Sequence, residues 1–369
     1  MKLLVIGAGI AGLSTAAQAA ADFEVTVLEA ELQPGYHSSG RSAAVFIRPY
    51  VNAVVHALSA ASESFFSDPP KGFGTLGRRT ATLVAAEFGD EDRVDAFIDR
   101  WAALCPWLAK IDAAETCRRV PIFRPERIAC AALDDRCMAL DVHNILEGHR
   151  RRLLEHDGVI VTNARVVNIE RHARWHVETD RGEIFSADIV VNAAGAWADQ
   201  IAVLAGATPL ALVPKRRTAI LIEPGIDVRE WPLALMATDD LYFKPEGNLL
   251  MVSPVDATQS PPCDAQPQEW DIAVGIERFQ NVTNVTVDRP TRTWAGLRTF
   301  TRDECPVIGY DAAVEGFFWV AGQGGFGVQT SPGYSRVAAA LLNGVEIPAD
   351  IEITAADVDP RRDQSRETP

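Results

Sequence analysis

The stretch KLLVIGAGIAGLSTAAQAAADFEVTVLEA, residues 2–30, decides the fold. Residues 2–6 are an apolar run that predicts a buried parallel strand, because a strand covered on both faces lacks polar alternation. The Ala-rich residues 13–21 favour a helix, and residues 23–28 predict a second strand. The motif GAGIAG stands between the first strand and the helix, and Glu29 follows 17 residues after Gly12. This order is typical of a dinucleotide-binding strand–helix–strand unit.

Each part of this motif has a physical role in holding a dinucleotide. Gly7 permits a tight turn, Gly9 lets a pyrophosphate approach the backbone, and Gly12 lets the helix pack closely on the strand. The N-terminus of the helix supplies N–H groups and partial positive charge for the phosphates. Glu29 can accept hydrogen bonds from a ribose diol. The motif therefore predicts binding of the ADP half of a dinucleotide.

Three further segments bear on which dinucleotide binds. Residues 36–42 (YHSSGRS) can meet phosphates and a flavin, and residues 188–197 (DIVVNAAGAW) are a strand that ends in small residues. Residues 317–320 predict a strand that runs into the glycine-rich residues 322–327, followed by a helix over residues 335–342. This second glycine turn offers N–H groups to another anionic group or ring oxygen. A large flavin nucleotide uses such an element and a nicotinamide nucleotide does not need it, so FAD is favoured over NAD.

The composition is that of an ordinary globular protein. The 369 residues include 50 acidic and 35 basic side chains, a net charge of −15, with 47% hydrophobic and 23% charged residues. This balance excludes a disordered chain and argues against binding of nucleic acid or of an anionic membrane surface. No stretch predicts a transmembrane helix, which needs about 20 apolar residues. The N-terminus resembles a secretory leader, but the dinucleotide motif accounts better for its spaced glycines.

The cysteines and histidines predict no metal site. The six cysteines form no CxxC pair and no metal-type spacing with histidine. We expect thiols buried as small hydrophobes in a reducing, cytoplasmic setting. Of the histidines, His143 and His149 are predicted on a helix surface.

The remaining segments are of two kinds. Residues 46–139 mix loops with helical runs, predicted at 53–66 and 90–108. Residues 216–292 carry alternating patterns that predict antiparallel strands, which suit a sheet wall over a pocket. These strands are expected at residues 218–222, 241–244, 249–253 and 282–287. Residues after Ile353 are polar and charged and predict a loose tail.

Five longer motifs resemble one family over essentially the whole chain. They are YHSSGRSAA (36–44), NAAGAWA (192–198), PKRR (214–217), TWAGLR (293–298) and GFFWVAGQGGFGVQT (316–330). With them the chain resembles the D-amino-acid oxidase superfamily of FAD enzymes, and more narrowly the FAD-dependent D-amino-acid dehydrogenases of the D-arginine dehydrogenase type. The resemblance implies a mixed α/β (α+β) fold, with a Rossmann-like FAD-binding domain interleaved with a substrate domain built on an antiparallel sheet. The implied boundaries are 1–45, 140–215 and 293–369 for the FAD-binding domain, and 46–139 and 216–292 for the substrate domain.

The resemblance also implies the reaction, which is oxidative deamination of a D-amino acid. A hydride passes from Cα to flavin N5, and the imino acid hydrolyses to a 2-oxo acid and ammonia. The substrate carboxylate must be fixed so that Cα–H lies near N5, and arginine does this through paired charge-assisted hydrogen bonds. By position in their motifs, Arg217 and Arg298 match this clamp. Tyr50 and Tyr242 match substrate-contact positions, and the Gly325 carbonyl matches the acceptor of the substrate amine.

The same resemblance implies FAD contacts along the N-terminal motif, the YHSSGRSAA segment, the middle of the chain and the C-terminal glycine segment. They are Gly7, Gly9, Ile10, Ala11, Gly12, Glu29, Ala30, Ser38, Gly40, Arg41, Ser42, Ala43, Ala44, Val166, Ala194, Gly195, Trp197, Gly296, Gly324, Gly325, Phe326, Gly327, Val328, Gln329 and Thr330. Cys305 lies near the segment where some relatives tether flavin through a thiolate. The tethering position itself is Gly296 here, so non-covalent FAD is predicted.

Departures from the family pattern bear on the substrate. The D-arginine type receives the cationic side chain on a glutamate, and local alignment places Thr82 or Leu83 at that position. Val45 and Ile47 replace a histidine and a threonine. Because a buried guanidinium without a carboxylate is costly, we expect a neutral or apolar D-amino acid, with D-arginine a poor substrate. Arg48 lies nearby in the sequence and would favour an anionic side chain if it reached the pocket.

Two further questions stay open at this point. The chain acts either as a monomer on a small-molecule D-amino acid, or as the flavin subunit of a complex that oxidises an opine or another secondary amine. The electron acceptor is oxygen, a quinone or another oxidant, and the resemblance favours poor reactivity with oxygen. A non-enzymatic protein would need to have lost the clamp, which Arg298 and Tyr242 argue against.

Overall fold

The computed structural model describes residues 1–362, and it begins with the strand–helix–strand unit that the sequence predicts. The strands are β1 (Lys2–Ile6), β2 (Glu24–Leu28), β3 (Val45–Phe46), β4 (Gly77–Glu87), β5 (Ala109–Asp112), β6 (Ile128–Leu140), β7 (Val159–Val161), β8 (Val166–Arg171), β9 (Trp175–Thr179), β10 (Ile184–Ala187), β11 (Ile189–Asn192), β12 (Val213–Ile222), β13 (Leu233–Met236), β14 (Tyr242–Glu246), β15 (Leu249–Ser253), β16 (Arg292–Phe300), β17 (Val307–Tyr310) and β18 (Phe317–Ala321). The α-helices are α1 (Ile10–Ala19), α2 (Ala53–Ala60), α3 (Glu63–Ser67), α4 (Glu91–Trp101), α5 (Ala113–Arg119), α6 (Val142–Glu155), α7 (Ala198–Leu204), α8 (Glu269–Val282), α9 (Gly327–Leu342) and α10 (Ala355–Val358).

A mainly parallel sheet carries the N-terminal motif. Its order is β17-β18-β11-β1-β2-β7, and only β17 and β18 pair antiparallel. The apolar run of β1 is explained by cover on both faces. Leu3 and Val5 belong to the core with α1, α6 and α9, whereas Leu4 and Ile6 belong to the core with α7 and the small antiparallel sheet β8–β10.

Gly7 and Gly12 let α1 start directly against the end of β1. Gly7 has a φ of 101°, which L side chains rarely adopt. A Cβ on Gly12 would lie 1.8 Å from the carbonyl oxygen of Gly7, so only glycine permits this approach. The observed turn therefore agrees with the roles predicted for these two glycines.

A second sheet forms a wall opposite the ends of the parallel strands. Its order is β16-β12-β15-β14-β13-β4-β6-β3, with β5 added at β6, and β13–β4 is its parallel pair. Pairing of β12 with β16 sets Arg217 opposite Gly296 and Lys215 opposite Arg298. Because side chains alternate along a strand, these four residues share one face of the sheet. The mixed α/β fold predicted from the sequence is confirmed.

Both sheets are assembled from distant parts of the chain. The parallel sheet uses residues 2–28, 159–161, 189–192 and 307–321, and the second sheet uses strands between residues 45 and 140, 213 and 253, and 292 and 300. β16 lies in the second sheet, whereas the predicted boundary counts most of it with the FAD-binding domain. The division into two interleaved domains stays a prediction.

Several predicted elements are corrected. The strand expected at residues 282–287 is wrong, because Val282 ends α8 and Thr283 caps it, with its Oγ1 donating to the Phe279 carbonyl. The loose tail after Ile353 is wrong up to residue 362, since Val358 is buried in α10. Residues 363–369 of that tail lie outside the described residues. His149 is buried between aromatic rings rather than on a helix surface.

Other boundaries differ in extent. The helix expected over residues 53–66 is interrupted between α2 and α3, and the one over residues 90–108 ends with α4. The long pair β4–β6 was not foreseen. Within residues 1–362, no helix has the length and apolarity to cross a bilayer.

Candidate active site

A cavity of about 1150 Å³ lies between the carboxyl ends of the parallel strands and the second sheet. It is lined on one side by the turn after β1, by Glu29 and by the turn after β11. On the other side it is lined by Arg217, Tyr242 and Arg298. The crevice outside the carboxyl ends of the strands is where open α/β sheets bind ligands. Its volume exceeds the range of about 300–1,000 Å³ common for one drug-sized ligand, so a dinucleotide and a small substrate can share it.

Glu29 is held at the end of β2 by the backbone of the glycine turn. Its Oε2 accepts from Ala8 N at 2.8 Å, and its Oε1 accepts from Glu31 N at 2.9 Å. Burial raises the pKa of Glu29, and these two hydrogen bonds act in the opposite direction. The carboxylate lines the cavity. This placement fits the predicted contact with a ribose diol.

The segment after β2 links the glycine turn to the second sheet. Ser39 Oγ accepts from Ile10 N at 2.9 Å, at the first turn of α1. Ser38 Oγ donates to the Leu297 carbonyl at 2.6 Å. Arg41 Nη1 donates to the carbonyls of Ala265 and Ala295 at 2.8 and 3.0 Å. The YHSSGRS segment therefore fixes the two walls of the cavity to one another.

The C-terminal glycine segment closes the cavity from a third direction. Gly324 N donates to the Thr299 carbonyl at 2.8 Å, which joins this segment to β16. Gln329, early in α9, donates from Nε2 to the Ile47 carbonyl at 2.9 Å and to Ser59 Oγ at 2.8 Å. α9 starts at Gly327, earlier than predicted, and contains Pro332.

The cavity wall suits a polar ligand such as FAD. Among residues 1–362, Gln323 Nε2 and His37 Nδ1 are buried polar atoms without a hydrogen-bond partner, and both residues line the cavity. Buried groups of this kind need partners, and a flavin nucleotide carries many polar atoms that can supply them. Gly9, the N-cap of α1, has no side chain to cap the helix. Ser39 accepts from Ile10 N, and the N–H groups of Ala11 and Gly12 are left to serve phosphates.

Most of the predicted FAD contacts line this cavity. They are Gly7, Gly9, Ile10, Ala11, Glu29, Ala30, Ser38, Arg41, Ser42, Ala43, Ala44, Val166, Ala194, Gly195, Trp197, Gly296, Gly324, Gly325, Gly327, Val328 and Gln329. Four others are not brought to the wall. Gly12 and Gly40 face the carbonyls of Gly7 and Gly35, Phe326 packs in an apolar cluster, and Thr330 is fully buried within α9.

The predicted catalytic residues come together in the cavity. Arg298 Nη2 donates to Tyr50 OH at 2.7 Å, and Arg217 Nε donates to the Asp256 carbonyl at 2.8 Å. Burial lowers the pKa of Arg217, and the positive charge of Arg298 lowers it further. Two guanidinium groups on one face, with tyrosine hydroxyls beside them, form a site that an added carboxylate would stabilise.

Gly325 lies directly against the clamp. A Cβ at this position would come within 1.8 Å of Arg298 Nη2, so the guanidinium rests on the glycine backbone. Gly325 is itself exposed to the cavity. The arginine that is predicted to hold the carboxylate and the carbonyl that is predicted to accept the amine are thus neighbours.

The two residues expected to face the substrate side chain do not line the cavity. Thr82 and Leu83 are buried away from the cavity, and Val84 lines it instead. Val84 packs in an apolar cluster that includes Phe97 of α4 and Leu235 of β13. Because the sequence did not predict strand β4, the alternation of its side chains could not indicate which of these adjacent residues faces the cavity.

Arg48 does not line the cavity. Its Nη1 donates to Glu63 Oε2 at 3.2 Å, its Nη2 lies 3.3 Å from His56 Nε2, and it stacks over the Trp107 ring. Its charge is used in this cluster, so it does not select an anionic side chain in the cavity.

Sequence reasoning missed several charged residues of the cavity, including Arg100, Asp256 and Glu304. Another is Asp239. It lies in the turn between β13 and β14, three positions before Tyr242, with a φ of 54°. The doublet Asp239-Asp240 marks a turn, but only the three-dimensional arrangement shows that the first aspartate lines the cavity and the second does not.

Among residues 1–362, no cysteine lines the cavity and no cluster of side chains suited to a metal ion is found. Gly296, the position where some relatives tether flavin, has no thiol, and a Cβ added there would lie 3.3 Å from the Cβ of Arg41. No group of three or more His, Cys, Asp or Glu side chains in the described part of the chain could hold a metal ion. Of the cysteines, Cys105, Cys130, Cys137 and Cys305 are buried, while Cys117 and Cys263 are partly exposed.

Comparisons with known proteins agree with this geometry. The family described as "FAD dependent oxidoreductase" (DAO) matches residues 2–341. Hydrogen cyanide synthase subunit HcnC of Pseudomonas aeruginosa is 28% identical over 180 residues, 47% of this chain and 41% of the relative. Glycine oxidase of Geobacillus kaustophilus is 25% identical over 189 residues, 50% of this chain and 48% of the relative. The sequence matches thus span less than half of each relative's length.

The fold is shared over full length with solved structures. L-proline dehydrogenase from P. horikoshii superposes with a TM-score of 0.86 at 21% identity, covering 100% of this chain and 99% of that one. The structure of glycine oxidase from Geobacillus kaustophilus gives a TM-score of 0.84 at 17% identity, covering 98% of both chains. These likenesses establish the fold alone.

Proposed function

Since this chain belongs to the DAO family of FAD-dependent oxidoreductases, we propose that it oxidises the carbon–nitrogen bond of an amino acid held by Arg217 and Arg298. The finer proposal is FAD-dependent oxidative deamination of a D-amino acid with a neutral or apolar side chain. The observation that carries it is the contact of Arg298 with both Tyr50 and Gly325 inside the predicted FAD cavity. The narrower D-arginine dehydrogenase resemblance has no support in the names of the matched relatives.

The proposed reaction balances as a two-electron oxidation. The amino acid loses a hydride from Cα and a proton from nitrogen, which gives an imino acid, and water then converts it to a 2-oxo acid and ammonia. When bound, FAD supplies the two-electron acceptor at N5. The electrons pass afterwards to dioxygen, a quinone or another oxidant.

The roles of the chain's own residues follow from their charge and position. Arg217 and Arg298 hold the substrate carboxylate, and Tyr50 OH, which accepts from Arg298, can donate its own proton to that carboxylate. Tyr242 lines the same cavity and offers a second hydroxyl. The Gly325 carbonyl accepts from the substrate amine. No side chain is required as a base, because an amine bound in its neutral form can release the hydride directly.

The apolar wall supports the proposed side-chain preference. Val84, Phe97 and Leu235 line the cavity, and Val84 stands near the position where the D-arginine type carries a glutamate. A guanidinium in contact with this wall alone would lose its hydration without a partner.

A panel of D- and L-amino acids tests the proposal. Each is added anaerobically to the FAD-loaded protein, and bleaching of the flavin absorbance is recorded. We expect reduction by a neutral D-amino acid, faster than by its L-enantiomer and by D-arginine. If no amino acid reduces the flavin, the clamp assignment is wrong, and if D-arginine has the highest kcat/KM, the side-chain assignment is wrong. Peroxide formation in air tests the expected poor reactivity with oxygen.

A second candidate is a flavin subunit of a complex that oxidises an opine or another secondary amine. It is favoured by the match to HcnC, which is named as a subunit of hydrogen cyanide synthase. Co-purification of partner chains from the native host, with activity restricted to N-substituted amino acids, would support it. A single-chain protein active on primary amines would exclude it. The cytoplasmic location predicted from the cysteines remains part of the main proposal.

A further inference from the structure

Asp239 brings a negative charge without a partner into a cavity built around two arginines. It lines the same cavity as Arg217 and Arg298. Within the described residues 1–362, its carboxylate has no hydrogen-bond or ion-pair partner. Its backbone N–H donates to the Met236 carbonyl at 2.9 Å, which ties the turn to β13. The side chain is therefore exposed on a hydrogen-bonded turn and is free to meet a ligand.

The carboxylate is close enough to the clamp to interact with it electrostatically. Enclosure by the cavity wall raises the pKa of Asp239, while the charges of Arg217 and Arg298 act to lower it. When a substrate carboxylate neutralises the two guanidinium groups, Asp239 is left as a negative charge beside the clamp that neither arginine compensates. A like charge on the remainder of the substrate is then repelled, and a positive charge is attracted.

Other charged residues also line this large cavity. Asp256 accepts from Thr218 N and Oγ1, Lys215 lies over the Phe300 ring, and Glu304 lines the wall near the end of β16. Arg93 Nε donates to Asp90 Oδ1 at 2.8 Å, and Arg100 Nη2 donates to the Val51 carbonyl at 2.8 Å. Asp239 and Asp240 both line a smaller adjoining cavity, but Asp240 does not reach the large one; it accepts from Thr238 and pairs with Arg278. What distinguishes Asp239 is that the charges of both clamp arginines act on it, so it is a charged group that a substrate held by the clamp would meet.

We propose that Asp239 sets the charge preference of the site, rejecting substrates with a second carboxylate and tolerating a positive charge at the distal end. This inference rests on the proposed carboxylate clamp. Together with the apolar wall, it predicts that neutral side chains bind best, cationic ones less well and anionic ones worst. D-arginine is then a poor substrate because of the apolar wall, but a better one than a D-amino acid with a distal carboxylate.

Three five-carbon carboxylates that cannot be deaminated at Cα provide a binding test. They are pentanoate, 5-aminopentanoate and glutarate, which share a carboxylate and differ in a neutral, positive or negative distal group. Each is titrated into the FAD-loaded protein, and Kd is read from the perturbation of the flavin spectrum. The variants are Asp239→Asn, which keeps shape and tolerates a positive φ, and the matched control Asp240→Asn.

The expected result is a change in selectivity rather than in overall affinity. In the unmodified protein 5-aminopentanoate binds more tightly than glutarate by at least about tenfold. Asp239→Asn should reduce that ratio to near one and leave the Kd of pentanoate within about threefold, while Asp240→Asn preserves it. An unchanged ratio in Asp239→Asn, or tighter binding of glutarate to the unmodified protein, would overturn the inference.

The same titration separates this inference from the proposed function. If the carboxylates bind with the expected charge preference but no amino acid reduces the flavin, the proposed reaction fails and the role of Asp239 stands. If amino acids reduce the flavin and Asp239→Asn leaves the selectivity unchanged, the reaction stands and the role of Asp239 fails. If none of the three carboxylates binds, the clamp and the inference that rests on it both fail.

Discussion

Replacing Gly325 by alanine should move Arg298 and lower catalytic efficiency without unfolding the protein. The new Cβ would lie 1.8 Å from Nη2, 2.1 Å from Nε and 2.2 Å from Cζ of Arg298. Non-bonded heavy atoms rest at about 3.5 Å, so the guanidinium must shift by about 1.7 Å. Since it is the far end of a flexible side chain, it can move more readily than the backbone. The shift breaks its 2.7 Å hydrogen bond with Tyr50 OH.

The size of the effect follows from the lost contact. A hydrogen bond to a charged group contributes about 1.5–3 kcal/mol. The displaced guanidinium is also no longer in position to bind the substrate carboxylate. Since each 1.36 kcal/mol is a factor of ten in rate, we expect kcat/KM to fall by about 10- to 150-fold. A misplacement of about 1 Å in a substrate-positioning group is sufficient for a loss of about 100-fold.

The assay is anaerobic flavin reduction and steady-state turnover with the best amino-acid substrate, alongside FAD content and Tm. The FAD content and the Tm should stay near their original values in Gly325→Ala. The control is the same substitution in an Arg298→Ala background, where it should cost little more because the displaced group is already gone. Undiminished kcat/KM in Gly325→Ala, or an equal penalty in both backgrounds, would refute the reasoning.

Three further predictions concern cofactor binding and stability. Glu29→Ala removes the acceptor of the Ala8 N–H and the predicted ribose contact, so FAD should dissociate about tenfold more readily or worse, measured by equilibrium dialysis. Arg362→Ala breaks a buried pair with Asp303, with N–O distances of 2.7 and 2.9 Å, and should reduce the free energy of unfolding by about 3–5 kcal/mol in denaturant titration. Burial acts to raise the pKa of Asp303, but Arg362 outweighs it and lowers that pKa, so this stabilisation is present at neutral pH and is lost as pH falls through the lowered value. Burial lowers the pKa of His149 to about 3, so protonation of the unfolded chain below about pH 6.5 should destabilise the fold by up to about 1.4 kcal/mol per pH unit. His149→Phe should remove this slope, which urea unfolding between pH 7 and pH 5 can measure.

The strand–helix–strand unit at the N-terminus could be predicted from the sequence because the residues that define it are close together in the chain. The approach of Gly12 to the Gly7 carbonyl depends on residues within a few positions of one another, and the apolar run of β1 is itself a local signal of a strand covered on both faces. The bounds of β1 and β15 agree with the predicted strands for the same reason. The positions of Arg217 and Arg298 came from longer motifs, and their convergence depends on the β12–β16 register.

The errors arise where tertiary packing overrides local pattern. Val282 to Val287 alternate as a strand does, but Val282 is buried at the end of an amphipathic helix that begins at Glu269. β4 begins with two exposed arginines and β6 contains a run of polar residues, Asp134 to Arg136, so neither shows continuous alternation. α9 continues through Pro332, which favours a helix start rather than an interior position. These features become clear only when the packed neighbours are known.

The net charge of −15 illustrates why composition could not identify the substrate. An acidic exterior would repel an anionic ligand, but charges on the surface are screened beyond about 8 Å at physiological ionic strength. Inside the cavity the nearest charges act at shorter range and in a lower dielectric, so Arg217 and Arg298 outweigh the far more numerous surface carboxylates. The same reasoning gives one carboxylate on the cavity wall, Asp239, more influence on selectivity than the rest of the exterior. Selectivity measured at low and high salt should therefore differ little, whereas Asp239→Asn should change it at both.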